Sequence, residues 1–111
     1  ASRYKGLSKV GMVGMCWGAK VTFLAGASTG LLDCVASCHG SILSKEDAEA
    51  LNIPTCMLNS KDEPESYRTE MKPILDAKPF AAQNVFMDFP TMHHGWMGTR
   101  GTGADTDFTV E

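Results

Sequence analysis

Residues Gly14-Met15-Cys16-Trp17-Gly18 read G-x-C-x-G, and this pentapeptide restricts the fold more than any other stretch of the chain. Residues 9–15 ahead of it form a short, almost wholly apolar run, the pattern of a strand buried on both faces of a parallel sheet. Residues 17–27 behind it predict a helix. Its larger apolar residues, Trp17, Val21 and Leu24, recur at spacings of four and three, which predicts one buried stripe. A strand must therefore turn into a helix within one residue of Cys16. So sharp a turn favours flanks without side chains. From composition alone the pattern is expected roughly 0.04 times in a chain like this.

The rest of the chain repeats the alternation. Residues 34–38 predict a second strand, closed by His39-Gly40-Ser41. Ser44 and Asp47 have capping-box spacing ahead of a short helix over 45–51. Residues 54–59 predict a third strand, with Asp62 just beyond its end. Pro64 suits the first turn of a helix over 65–77 that bends near Pro73. Residues 85–89 predict a fourth strand, stopped by Pro90, and His93 and His94 follow; residues 98–111 read as loop. Strands alternating with helices predict an α/β fold with a mostly parallel sheet and flanking helices. In such sheets ligands gather at the carboxyl ends of the strands. Cys16, Asp62 and His94 all fall there.

Chemistry at that edge follows from residue type. A cysteine between a strand and a helix N-terminus faces unpaired N–H groups and the positive end of the helix dipole, both of which favour a thiolate. The Trp17 N–H is then a natural oxyanion donor. A thiol needs a base, and the base an orienting group. The chain order nucleophile, acid, histidine is that of α/β-hydrolases, and Cys16, Asp62 and His94 follow it. Helix capping before Pro64 is the competing role for Asp62. Glu63 and Glu65 are competing carboxylates, read as projecting from a helix start. His93 reads as a packing or solvent-facing neighbour, and His39, beside Cys38, as a third histidine candidate. Trp96, Met92 and Met97 near His94, and Trp17 beside the thiol, are candidates to line an apolar substrate pocket.

Other classes are disfavoured. The net charge is −3, with no basic stripe for a nucleic-acid backbone. No apolar run approaches the roughly 20 residues of a membrane span. Cys34, Cys38 and Cys56 lie in apolar runs and read as buried, reduced thiols, which predicts a cytoplasmic setting. The C-x₃-C spacing of Cys34 and Cys38 does not suit a redox pair. Cys38-His39 lacks the paired spacing of a zinc site, so neither a metal nor a cofactor is expected.

These residues together resemble the dienelactone hydrolase family. Residues 10–20, with Cys in place of the usual Ser, are similar to its nucleophile segment. Asn59-Ser60-Lys61-Asp62 is similar to its acid loop, and residues 89–96, with His94-Gly95-Trp96, to its histidine loop. The Arg100-Gly101 pair also fits, and the likeness runs toward fungal members. The resemblance covers residues 6–101. It implies a Cys-His-Asp hydrolase of a small-molecule ester or lactone, with Cys16, His94 and Asp62 in those roles. The family's first strands, a second oxyanion donor and its last helix have no counterpart here, and Ala19 stands where a second glycine is frequent. Residues 1–111 are thus expected to be the second half of one truncated α/β-hydrolase domain, with an apolar edge that favours a homo-oligomer or association with a missing N-terminal half. An inactive, self-associating interaction module is the alternative.

Overall fold

The computed structural model describes residues 6–98. Four strands, β1 (Gly11–Met15), β2 (Cys34–Cys38), β3 (Thr55–Asn59) and β4 (Val85–Asp88), pair in sequence order, and every pairing is parallel. The crossovers are α1 (Trp17–Ser28), α2 (Lys45–Ala50) and a π-helical segment (Tyr67–Met71) that runs directly into α3 (Lys72–Asp76). Pro73 lies in the first turn of α3, at the junction with the π-helical segment, and lacks the N–H that an unbroken α-helix would use there. The bend expected at that proline is thus a change of helix type.

A sheet that advances in one direction by right-handed crossovers places its helices on one face. The core accordingly gathers Phe23, Val35, Leu51, Met57, Tyr67 and Met71 between the helices and that face. Two expectations are corrected here. The strands are not buried on both faces. Val13, Met15, Val85 and Met87, which alternate with the inward residues, are exposed, as is Cys34 on the same side, against its expected burial. The buried stripe of α1 is not Trp17, Val21 and Leu24. It is Ala19, Thr22, Phe23 and Gly26, while Trp17 is 65% exposed. Tight docking of α1 on β1 and β2 selects small residues, so the bulkier stripe turns outward. Among the described residues no helix is long and apolar enough to cross a membrane.

The capping box at α2 is present: Ser44 Oγ and N–H both reach Asp47 Oδ2, which also takes a 2.6 Å ion pair from Lys20 on α1. The elbow is equally well fixed. A Cβ on Gly14 would overlap the Gly18 carbonyl and the Thr22 hydroxyl, whereas one on Gly18 would meet nothing. Only the first of the two flanking glycines is sterically required. Gly14→Ala is therefore expected to destabilise by about 3 kcal/mol through overpacking. Gly18→Ala should change stability by no more than about 1 kcal/mol, in the stabilising direction. Urea unfolding of the two variants side by side checks this.

Candidate active site

Cys16 stands alone between β1 and α1, at φ 54° and ψ −123°. Positive φ is costly for a residue with a Cβ and persists only where the surroundings enforce it. Here they do. The Cys16 N–H donates to the Cys38 carbonyl at 3.2 Å, and its own carbonyl accepts the N–H of Ser41 at 2.9 Å. The elbow is thereby stitched to the end of β2. As the first residue of α1, Trp17 has an N–H with no acceptor inside the helix, and it points from the positive end of the helix dipole.

The segment after β2 carries His39 and Ser41. His39 is fully buried, also at positive φ (39°), and its N–H donates to the Leu58 carbonyl at 2.8 Å. Tyr67 clamps this segment: its hydroxyl donates to the Gly40 carbonyl at 3.0 Å and accepts the Leu43 N–H at 3.2 Å. Burial pushes the Tyr67 phenol up, so it remains a donor. His39 Nδ1 lies 3.3 Å from Cys16 Sγ.

Beyond β3, Lys61 N–H reaches the Met92 carbonyl and Phe89 N–H reaches the Asn59 carbonyl, which brings the third and fourth loops together. His94 sits in that junction. Its Nδ1 lies 2.8 Å from Glu63 Oε1, and its Nε2 lies 3.4 Å from Ser41 Oγ. The other oxygen of Glu63 accepts both the N–H and the hydroxyl of Ser60. Cys16, His39 and His94 each place one donor atom within 4.8 Å of the others.

Cys16 and His94 thus meet at the carboxyl edge of the sheet, as the sequence predicts, but Asp62 is not on the imidazole. Its Oδ2 accepts the backbone N–H of His94 at 2.9 Å, and its side chain is 46% exposed. The carboxylate on the ring belongs to Glu63, whose side chain is 3% exposed. The correction has a local cause: a turn over residues 61–63 precedes any helix, and Ser60 draws the Glu63 carboxylate inward. The signal was legible, since Ser60 and Glu63 have the S-x-x-E spacing of a reciprocal cap. His39 was signalled by its place directly after a strand next to the elbow strand. Trp96 packs on Phe89 at 5.0 Å and faces His39 at 6.4 Å between ring centroids, whereas Trp17 is exposed. His93 is buried. Arg100-Gly101 lies outside the described residues.

The family model for dienelactone hydrolases matches residues 1–104. This chain belongs to the dienelactone hydrolase family. Two Schizosaccharomyces pombe proteins are similar to this family member along most of its length. The uncharacterized AIM2 family protein C977.15 is 34% identical over 99 residues, which are 89% of this chain and 40% of the relative. The uncharacterized AIM2 family protein C30D10.14 is 36% identical over 91 residues, 82% of this chain and 36% of the relative. A crystal structure described as "Putative Dienelactone Hydrolase from Klebsiella pneumoniae subsp. pneumoniae MGH 78578" superimposes with a TM-score of 0.71 at 18% identity. That match covers 98% of this chain and 51% of the other. The chain therefore has the dienelactone hydrolase fold and spans about two fifths of the curated relatives it matches.

In this family member Cys16, His39 and His94 are the group whose side chains could in principle share a soft metal ion among the described residues. The hydrogen bonding of His39 argues against capture. Its Nε2 accepts the Met97 N–H at 3.2 Å. An imidazole bound to metal through Nδ1 would carry its proton on Nε2, donor against donor.

Proposed function

We propose that this chain carries the nucleophile, base and orienting carboxylate of a thiol hydrolase acting on a small ester or lactone, with Cys16, His94 and Glu63 in those roles. What supports the reading is the placement of Cys16 at positive φ at the foot of α1, within 4.8 Å of an imidazole paired to a buried carboxylate. Glu63 accepts a hydrogen bond from the Nδ1–H of His94, which leaves Nε2 unprotonated and basic. The thiol proton passes to Nε2 as Sγ attacks the carbonyl carbon. A C–S bond forms, and the carbonyl electron pair moves onto oxygen, facing the Trp17 N–H. Collapse breaks the C–O bond, and the departing alkoxide takes the proton from His94. Water then attacks the thioester, giving a proton to His94, and the sulfur leaves as the thiol once that proton returns. Asp62 fixes the backbone of the histidine loop throughout.

Turnover of p-nitrophenyl acetate, followed while iodoacetamide modifies the protein, tests the reading. Activity should fall in proportion to carbamidomethylation of Cys16. Burial raises the thiols of Cys38 and Cys56 out of competition, and exposed Cys34 serves as the reference site. Turnover that persists after Cys16 is fully modified would rule the proposal out. A second reading, a non-catalytic module that self-associates, is favoured by the exposed Val13, Met15, Val85 and Met87 on one sheet face. It predicts a concentration-dependent sedimentation coefficient with no thiol-dependent turnover.

A further inference from the structure

The two histidines at the sulfur are wired in opposite senses. His94 presents a bare Nε2, because its Nδ1 is turned to a carboxylate. His39 is reversed: its Nε2 accepts the backbone N–H of Met97, which can only donate. The lone pair of a neutral His39 therefore sits on Nε2 and its proton on Nδ1. That nitrogen is the one 3.3 Å from Cys16 Sγ.

The ring is held neutral. Burial lowers its pKa first and neighbouring His94 second; a backbone hydrogen bond at His39 itself and then Glu63 pull the other way, and His93 adds a last lowering. With the Cys16 thiol, these groups of the third and fourth loops are the charged and titratable ones that face it. Lys20 on α1 is paired to Asp47. Neither nitrogen of His39 is free to take the thiol proton, since one already carries a proton and the other faces a donor.

We propose that His39 is a second catalytic histidine whose Nδ1–H donates a hydrogen bond to Cys16 Sγ, fixing the sulfur as an acceptor at rest and stabilising the thiolate when His94 removes its proton. This rests on Cys16 being the nucleophile. It divides the work: His94 moves the proton, and His39 together with the N-terminus of α1 holds the charge left on sulfur. The fold enforces the arrangement, since positive φ at His39, the Leu58 carbonyl and the Tyr67 clamp all fix the ring.

The test reads sulfur reactivity and not ester turnover, so it can fail while the hydrolase reading stands, or the reverse. Rate constants for carbamidomethylation of Cys16 are measured by mass spectrometry between pH 5 and 9 with EDTA present. His39→Leu should slow the reaction about tenfold at pH 7 and move the rise of the rate to higher pH, because a charge-assisted hydrogen bond is lost. His39→Asn should stay within about threefold of wild type. Its side-chain amide nitrogen replaces Nδ1, and Asn tolerates positive φ. A Leu variant as reactive as wild type would overturn the proposal, as would wild-type protein that becomes more reactive when EDTA is added. If His39→Leu does not fold, ¹⁵N spectra of the wild-type histidines decide the matter. A protonated Nδ1 on His39 is expected, and a protonated Nε2 refutes it.

Discussion

Cys16→Ala should turn over p-nitrophenyl acetate at the uncatalysed rate, a loss on the order of 10⁴-fold or more. The substitution keeps the Cβ, so the backbone at φ 54° is no more strained than before, and the hydrogen bonds from the elbow to Cys38 and Ser41 are made by backbone alone. The thermal midpoint and circular dichroism should therefore match wild type while activity vanishes. That separation is what distinguishes a nucleophile from a packing residue. Cys16→Ser offers a poorer nucleophile on the same geometry and should fall between the two. A Cys16→Ala protein retaining a tenth of wild-type turnover would remove the thiol from the mechanism.

The second large effect is expected at Glu63. Glu63→Gln removes the charge that faces His94 Nδ1 and can present an amide N–H to it, which favours the wrong tautomer; kcat should fall about 10³–10⁴-fold. Asp62→Asn should cost less than about tenfold, because the amide oxygen of Asn can still accept the His94 backbone N–H. Steady-state kinetics on both variants, with KM resolved from kcat, rank the two carboxylates. The reverse order would return the orienting role to Asp62, where the chain order and the family resemblance place it.

That near miss shows what the sequence carries and what it does not. Strand β2 was legible to the residue, because a short run of small and apolar residues between turn signals leaves little choice. The elbow was legible because its steric demand is local, and the α2 cap because its spacing is reciprocal. The stripe of α1 was not. Apolar residues occupy both Trp17-Val21-Leu24 and Ala19-Phe23-Gly26, and the choice between them is made by how closely the helix must approach β1 and β2. Asp62 and Glu63 are adjacent and chemically alike. Which one turns inward depends on the hydrogen bonds of Ser60, a matter of turn geometry and not of pattern. His39 was visible only as one of three histidines. Its role depends on which backbone N–H meets its far nitrogen, and Met97 lies 58 positions away.

The exposed face of the sheet gives the molecule its own instrumentation. Cys34 is exposed on that face, opposite Gly11 of β1, while Cys16 sits at the carboxyl edge. A single thiol footprint thus reads two quantities in one sample. Label at residue 16 gauges the chemistry, and label at 34 gauges whether anything shields the back of the sheet.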